Sequence, residues 1–355
     1  MVSLSLMASL IEAVRPDARL VLVGDPEQLV SVEAGAVLAD IVGPASRAAP
    51  PPAGLDAAAD GAPADGAPAD PRPPVAGSIC VLRRNHRFAG LLALLSEAVR
   101  TGDSGEVLRI LAAGDPSVSW VDADPAEMLP SSGLHSPTRL PAAAGGIRDA
   151  IVAWASEVGE LAAAGDAEGA IAALRRNRIL CAHRRGAGGV AEWNAMIGDR
   201  VNDTRVPLGG DGGWYAGRPV LMTSNDYSLR LFNGDTGVAV TAGGDGNPSR
   251  LVVAFDEGRD RPVRTVSPTR LEAVETVYAM TVHKSQGSEF DHVTFLMPPA
   301  TSRLLTRELL YTAITRARRG VALIGTAEAL RVAVETPISR ASGLGGRLWG
   351  TRHLP

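Results

Sequence analysis

The segment from residue 278 to residue 325 constrains the fold more than any other part of the sequence. It reads Y-A-M-T-V-H-K-S-Q-G-S-E-F-D-H-V-T-F-L-M-P and, after eight further residues, R-E-L-L-Y-T-A-I-T-R-A-R-R-G-V-A-L-I-G. Its pattern predicts strand, polar turn, strand, helix and strand at residues 277–282, 283–290, 292–297, 306–319 and 321–325. This alternation is typical of a parallel α/β sheet, and polar residues just past a strand end occupy the place where such sheets bind ligands.

Charged residues stand at both ends of the predicted helix 306–319. Glu308 falls in its first turn, and three arginines, Arg316, Arg318 and Arg319, fall in its last turn. This arrangement complements the helix dipole and supports the predicted helix boundaries.

The same segment carries two motifs of a known family. T-V-H-K-S-Q-G-S-E-F resembles motif V, and Y-T-A-I-T-R-A-R-R resembles motif VI, of superfamily 1 helicases in the branch that contains RecD and its relatives. The alternative is a Rossmann-like sheet with a polar loop that has no such role. Two long motifs in the family's order favour the helicase interpretation.

The first residues resemble another part of these helicases. A helix is predicted at residues 5–15 and a short hydrophobic strand at 19–23, and then comes G-D-P-E-Q-L, which resembles motif III. The resemblance gives Gln28 the place of the residue that contacts the terminal phosphate of ATP, with Gly24 and Asp25 beside it. Without the resemblance, the same residues are typical of a plain β-turn.

Residues 43–77 differ in composition from the rest of the chain. They contain P-A-S-R-A-A-P-P-P-A-G and the near-repeat A-D-G-A-P-A-D-G-A-P-A-D-P, with almost no large apolar side chains. Such a segment buries too little surface to offset the entropy lost on ordering, so we expect a disordered linker. The basic and weakly patterned residues 341–355 are expected to form a flexible tail.

A strand is predicted at residues 79–82, and R-R-N-H-R-F follows it. These residues resemble motif IV, which implies that Arg87 lies near the γ-phosphate of ATP. The alternative is a solvated basic turn. Further along, residues 118–121 are predicted to form an edge strand, residues 122–145 a loop, and residues 147–163 an amphipathic helix.

A glycine-rich turn, H-R-R-G-A-G-G, follows a strand predicted at residues 178–182 and leads into a helix. Such a turn can bind phosphate at the helix N-terminus. It is not a Walker A loop, because no Gly-Lys pair occurs in the sequence. A similar G-V-x-x-x-N segment occurs in RecD relatives, which implies a structural role near DNA.

Residues 217–271 change to short alternating strands with Asn, Gly and Asp at the turns, and Asn233-Gly234-Asp235 is a strong turn signal. This pattern predicts a small antiparallel barrel, and it resembles the SH3-like insertion of RecD-like helicases. We expect Phe232 in the barrel core, whereas Trp214 and Tyr215 could lie in the core or at a surface.

Composition places the chain among globular proteins, with 45% apolar and 21% charged residues and a net charge of -4. Cys80 and Cys181 each fall in a predicted buried strand, and no Cys/His cluster indicates a metal site. No apolar run is long enough to span a bilayer, and no signal pattern precedes the first helix. We therefore expect a cytoplasmic protein without membrane partners.

The family resemblance implies an α/β fold of the RecA-like P-loop NTPase motor type, with a nearly complete second motor domain, only the C-terminal piece of the first, and an inserted SH3-like β-barrel. The implied boundaries are 1–42 for the piece of the first RecA-like domain, 43–77 for the linker, 78–214 with 275–340 for the second RecA-like domain, 215–274 for the barrel, and 341–355 for the tail.

The resemblance also implies roles for individual residues in a motor that positions and stabilises phosphate charge. Arg316 takes the place of the arginine finger, supported by Arg87, while Gln28 senses the nucleotide from the first motor domain. The nucleotide-binding candidates are Gly24, Asp25, Gln28, Arg87, Gly287, Glu289 and Arg316. The DNA-binding candidates, whose polar groups suit a sugar-phosphate backbone, are Thr281, His283, Lys284, Ser285 and Gln286. Lys284 is the only lysine of the chain.

The implied function is 5′-to-3′ translocation on single-stranded DNA, coupled to hydrolysis of ATP with Mg²⁺. The resemblance is closer to the RecD subunit of the RecBCD helicase–exonuclease, which resects double-strand breaks for recombination with RecB-like and RecC-like partners, than to free-standing RecD-like helicases.

A Walker A lysine and a Walker B acidic pair are absent from the sequence. We therefore expect the chain to start just after motif II and to hydrolyse no ATP by itself. Two alternatives stay open: a non-catalytic module that grips DNA or docks onto partner subunits, and an RNA helicase of the same superfamily.

Overall fold

The structure is a computed structural model. It describes residues 2–29, 36–43, 78–82, 89–129, 141–186, 188–202, 213–243, 250–256, 263–338 and 343–349. Residues 44–77 of the predicted linker and the candidate Arg87 lie outside the described residues. The chain divides into two units, residues 1–86 with 338–355 and residues 87–337, and each is described by itself.

The helices of the described residues are α1 (Leu4–Ala13), α2 (Val37–Val42), α3 (Gly90–Thr101), α4 (Ser104–Leu111), α5 (Ala142–Ala163), α6 (Ala167–Arg176), α7 (Val190–Asn202), α8 (Arg307–Ile314), α9 (Ala327–Glu335) and α10 (Leu344–Trp349). The strands are β1 (Val118–Val121), β2 (Asn177–Cys181), β3 (Pro219–Met222), β4 (Thr236–Ala242), β5 (Arg250–Phe255), β6 (Arg264–Val266), β7 (Val274–Thr276), β8 (Ala279–Thr281), β9 (Phe290–Leu296) and β10 (Ala317–Ile324).

The smaller unit confirms one predicted helix and contradicts two predicted strands. Helix α1 matches the predicted helix and begins at an N-cap, Ser3, whose hydroxyl accepts from the backbone of Leu6. The predicted strands at residues 19–23 and 79–82 do not form, because a strand needs a hydrogen-bonding partner and none is present among the described residues. Cys80 is accordingly exposed, and the predicted burial of this cysteine is wrong. Helix α10 lies within the predicted tail.

The larger unit contains a five-stranded sheet in the order β1-β10-β9-β2-β8, and every pair in it is parallel. Strand β1 lies at the edge, as predicted. The buried Trp154 of α5 meets Tyr278, which precedes β8, edge to face at 6.2 Å between ring centroids. Ile179 and Cys181 of β2 belong to the same core, so the predicted burial of Cys181 is confirmed.

The helix predicted at residues 306–319 is shorter in the structure. Helix α8 ends at Ile314, and strand β10 begins only three residues later, at Ala317. The chain leaves the helix because the carbonyl of Arg316 accepts from the backbone of Phe290 at 2.9 Å and pairing with β9 follows. Arg318 and the arginine after it therefore lie on β10, so neither of them complements the dipole of helix α8, contrary to the prediction.

Two regions between the predicted elements contain helix. Helix α6 begins at the N-cap Asp166, whose carboxylate accepts from the backbone of Gly169 at 2.8 Å, a signal that the sequence already carried. In the predicted loop 122–145, residues Pro125–Met128 form a 3-10 helix, and α5 starts earlier than predicted.

The second sheet is antiparallel, in the order β6-β5-β4-β3-β7, which confirms the strands predicted in this region. Gly234, with φ of 101°, forms the predicted turn before β4. Phe232 is 48% exposed, so its predicted core position is wrong; it lies at the tip beside Tyr227. Trp214 packs partly against the core of this sheet, whereas Tyr215 packs against the larger core, to which both sheets contribute.

Candidate functional site

The connecting segment, residues 282–289, links the carboxyl end of β8 to the amino end of β9. Thr281 is in register with Cys181, and Cys181 is in register with Leu296 near the end of β9. Phe290 starts β9 six residues earlier, so the segment returns along about 20 Å of sheet at ~3.3 Å per residue. One short segment therefore has one end at the carboxyl edge of the sheet and the other at the amino edge.

The first half of the connecting segment is a turn held by its own hydroxyl groups. The Thr281 hydroxyl accepts from the backbone of Lys284 at 3.2 Å, and the Ser285 hydroxyl donates to the carbonyl of Val282 at 2.7 Å. Thr281 is 8% exposed and Ser285 is fully buried. These two DNA-binding candidates stabilise the turn rather than facing solvent.

The other polar side chains of the turn are accessible. His283 and Gln286 are half-buried, whereas Lys284 is exposed and forms an ion pair with Glu275 at 2.6 Å. Gly287 follows with φ of 85°, a conformation that suits glycine, and nothing lies near the place where a side chain would project. The turn thus exposes an ammonium group and parts of an imidazole and an amide, although the amide oxygen of Gln286 is itself buried.

Arg316 lies against the far end of the connecting segment. The side chain is 3% exposed. Its Nη1 donates to the carbonyl of Ser288 at 3.3 Å, its Nε to the carbonyl of Thr312 at 3.3 Å, and its Nη2 to the Thr315 hydroxyl at 3.4 Å. The guanidinium therefore joins the end of helix α8 to the segment that begins at the polar turn.

Glu289, a nucleotide-binding candidate, lies at the same end of the segment. Its carboxylate accepts from Nε of Arg318 at 2.9 Å, and Arg318 is the residue two positions beyond Arg316. The structure thus brings Glu289 and Arg316 to one edge of the sheet, and brings His283, Lys284 and Gln286 together at the opposite edge.

The motif III-like residues of the smaller unit form a closed local turn. The Asp25 carboxylate accepts from the backbone of Glu27 at 3.0 Å and from Nε2 of Gln28 at 2.9 Å. At Gly24 a side chain would meet Leu38 of α2 at 2.7 Å, so glycine allows the close approach. The bond from its side chain to Asp25 holds Gln28 in position.

Asn194 of α7, the asparagine of the G-V-x-x-x-N segment, fixes the strand that leads into the turn. Its amide donates to the carbonyls of Thr276 and Ala279 at 3.0 and 3.1 Å, and its oxygen accepts from the backbone of Ala279 at 2.8 Å. The amide thus replaces strand partners at the edge of β8. The sequence pointed to this asparagine only through the resemblance, because its partners lie more than eighty residues away.

Three charged residues near the site were not identified from the sequence: Arg184, Glu275 and the buried Arg178. Arg184, in the glycine-rich turn after β2, forms an ion pair with Glu275 of β7 at 3.0 Å. Arg178 of β2 is buried, donates to the carbonyl of Val277, and lies 4.8 Å from the ring centroid of Phe290. Burial lowers the pKa of Arg178 to about 10, so it stays charged at neutral pH.

Within the described ranges, no group of three or more His, Cys, Asp or Glu side chains is arranged to hold a metal ion. Among the helices of those same ranges, none combines the length and the apolar character that crossing a membrane requires.

Family models and known proteins match this chain. Residues 276–324 match the UvrD-like helicase C-terminal domain, and residues 1–51 match an AAA domain. The RecBCD enzyme subunit RecD of Mycolicibacterium smegmatis is 44% identical over 350 residues, which are 98% of this chain and 52% of that protein. The ATP-dependent RecD2 DNA helicase of Deinococcus radiodurans is 38% identical over 117 residues, 33% of this chain and 15% of that protein.

Among solved structures, a Bacteroides Pif1 helicase in complex with ADP-AlF3 and single-stranded DNA is similar over 72% of this chain and 53% of that chain, with a TM-score of 0.36 and 14% identity.

The parallel sheet and the family match over residues 276–324 define an α/β chain with a RecA-like helicase fold. The similarity to proteins named RecBCD enzyme subunit RecD extends over nearly the whole chain, at 44% identity. The chain spans about half the length of the curated relatives it matches.

Proposed function

We propose that this chain is part of an ATP-dependent DNA helicase, in which the connecting segment couples a grip on single-stranded DNA to ATP hydrolysis. The observation that carries the proposal is the path of that segment: it starts in an exposed polar turn and ends against the guanidinium of Arg316. The names of the RecD and RecD2 relatives support the proposal.

The DNA side of the proposal rests on the exposed face of the turn. His283, Lys284 and Gln286 contact the sugar-phosphate backbone, which needs donors and positive charge but no reading of bases. Thr281 and Ser285 position these side chains through their bonds within the turn.

The nucleotide side of the proposal rests on Arg316 and its surroundings. A guanidinium can stabilise charge on a phosphate that is being transferred, and Arg316 already contacts the backbone of the connecting segment. A change in its position therefore moves Ser288 and the turn beyond it. Gly287 and Glu289 lie along this path, while Gly24, Asp25, Gln28 and Arg87 are assigned to the nucleotide by their motifs alone.

The donor set fits phosphate sensing by ATP-dependent motors, since it supplies guanidinium and amide groups. It does not fit a complete magnesium site, because no cluster of metal ligands occurs in the described part of the chain. When bound, ATP with Mg²⁺ supplies the hydrolysable phosphate, and this chain's residues orient and sense it.

The finer parts of the proposal follow from the resemblance to RecD. We propose 5′-to-3′ translocation within a RecBCD-like helicase–exonuclease, with RecB-like and RecC-like partners, in recombinational repair of double-strand breaks in the cytoplasm. The antiparallel sheet serves as the SH3-like insertion at residues 215–274, between the two parts of the second motor domain.

Binding of a fluorescent oligo(dT) to the chain tests the DNA grip. His283→Ala is expected to weaken binding several-fold, whereas the control His292→Ala, an exposed histidine on β9, is expected to leave it unchanged. Equal affinities for both variants and the wild type would reject the assignment of the turn. Tighter binding of oligo(U) than of oligo(dT) would favour the RNA helicase alternative.

The second candidate function is a non-catalytic module that binds DNA or docks onto partner subunits. It is favoured by the absence of a Gly-Lys pair, and hence of a Walker A loop, from the sequence. ATPase measurements on the chain alone and together with RecB-like and RecC-like subunits separate the two functions. ATP hydrolysis that depends on Arg316 supports the motor function. DNA binding with no such hydrolysis supports the non-catalytic module.

A further inference from the structure

Two basic side chains and one carboxylate meet at the carboxyl edge of the parallel sheet. Nη2 of Arg184 lies 3.0 Å from Oε1 of Glu275, and Nζ of Lys284 lies 2.6 Å from Oε2 of the same carboxylate. Each oxygen of Glu275 therefore accepts from one cation, and the group of three carries a net positive charge.

The sheet itself brings the two cations together. Strands β2 and β8 are parallel neighbours in which Cys181 and Thr281 are paired. Arg184 and Lys284 each stand three residues beyond these partners, so they occupy equivalent places in adjacent turns. Glu275 comes from β7 of the antiparallel sheet, so its carboxylate is held by a strand that belongs to neither turn.

The three side chains are accessible, and the contacts between them are weak enough to exchange. The exposed fractions of the side chains are 70% for Arg184, 32% for Lys284 and 43% for Glu275. Exposed ion pairs contribute little net stability, because water and salt screen them. Another anion with two oxygens can therefore replace the carboxylate at little cost.

We propose that Arg184 and Lys284 form a backbone-phosphate site for single-stranded DNA, and that Glu275 occupies this site as an internal competitor when no DNA is bound. The two unesterified oxygens of a phosphodiester offer the same pair of acceptors as the carboxylate. The inference rests on the proposed DNA grip of the turn and adds a binding residue, Arg184, from a different segment, together with a competing group, Glu275.

The competing explanation is that Glu275 only organises the turn by tying it to β7. The two explanations predict opposite signs for the same substitution. If Glu275 competes with phosphate, neutralising Glu275 strengthens DNA binding. If Glu275 instead organises Lys284 for binding, the same substitution weakens DNA binding.

The test measures binding of fluorescent oligo(dT) to the 355-residue chain over a series of salt concentrations. Glu275→Gln is expected to tighten binding about fivefold, since a unit charge at contact distance in water changes an equilibrium by roughly that factor. Arg184→Ala is expected to weaken binding several-fold and to lower the slope of log affinity against log salt by about 0.7, the value for one lost phosphate contact.

Matched controls come from the ion pair of Arg109 and Glu106 on α4, which lies in the same unit and has the same charges. Glu106→Gln and Arg109→Ala make the same changes in net charge, and both are expected to leave oligo(dT) affinity close to that of the wild type. Circular dichroism of each variant verifies that the fold is retained.

If Glu275→Gln binds oligo(dT) as tightly as the wild type or more weakly, Glu275 is not a competitor of phosphate. If Arg184→Ala and Arg109→Ala have the same affinity for oligo(dT), Arg184 does not form a phosphate site. If His283→Ala weakens binding while all Arg184 and Glu275 variants match their controls, the inference fails and the proposed function stands. If the wild-type chain binds no oligo(dT), both fail.

Discussion

Replacement of Arg316 by alanine tests how much the contact between helix α8 and the connecting segment contributes to the free energy of unfolding. The guanidinium is buried and donates to two carbonyls and one hydroxyl at 3.3–3.4 Å. Hydrogen bonds from a charged donor contribute about 1.5–3 kcal/mol each when well formed, and these are longer than the usual 2.7–3.2 Å. At about 1 kcal/mol each, we expect Arg316→Ala to lower the free energy of unfolding by about 3 kcal/mol.

Urea denaturation followed by circular dichroism measures this change, and Arg318→Ala is the matched control. Arg318 lies two residues further along, is 43% exposed, and forms an ion pair with Glu289. Because exposed ion pairs contribute at most about 1 kcal/mol, its loss is expected to cost no more than that. Equal destabilisation by the two variants, within about 0.5 kcal/mol, would refute the reasoning from burial and hydrogen bonding.

The same pair of variants separates a structural arginine from an arginine finger. In an assembly of this chain that hydrolyses ATP, Arg316→Ala is expected to reduce DNA-stimulated hydrolysis on the order of a thousandfold. DNA affinity without nucleotide is expected to change little. If hydrolysis and DNA affinity fall together, Arg316 supports the fold of the turn and has no separate role with the nucleotide.

Three further predictions follow from the described residues and the sequence. A thiol reagent should label Cys80 rapidly in the native chain and Cys181 only after denaturation, since burial raises the pKa of the Cys181 thiol; two fast thiols would contradict this. The double variant His283→Ala/Gln286→Ala should weaken oligo(dT) binding more than His283→Ala alone, as fluorescence anisotropy can measure. The chain alone should show no DNA-stimulated ATPase in a phosphate-release assay, because its sequence has no Walker A lysine; robust hydrolysis would overturn that expectation.

The apolar run at residues 20–23 is exposed, which shows that a hydrophobic run alone does not predict a strand. The run is typical of a strand, yet Val23 is 91% exposed and Val21 is 69% exposed. An extended chain becomes a strand only when neighbours satisfy its backbone groups, and a local sequence does not contain those neighbours. Phe232 gives the same lesson, since its apolar ring predicted a core position and the turn instead places it at the tip of a sheet.

The sequence by itself determined the order of elements in residues 277–325 and the places of the polar turns. Apolar runs bounded by glycine and polar residues carry that information locally, because side-chain periodicity follows backbone geometry. Cap residues such as Asp166 carried a further helix start. The family motifs, which are also local, then gave the expected roles.

Only the tertiary structure decided where helix α8 ends and which polar groups meet. The helix stops at Ile314 because β10 pairs with β9, and a ladder of backbone bonds between distant segments outweighs a favourable charge pattern at a helix end. Likewise, Arg184, Glu275 and Lys284 are separated by up to 100 residues in sequence and meet only because β2 and β8 are neighbours and β7 leads into β8. Contacts of this kind depend on strand order, and strand order is a property of the whole chain.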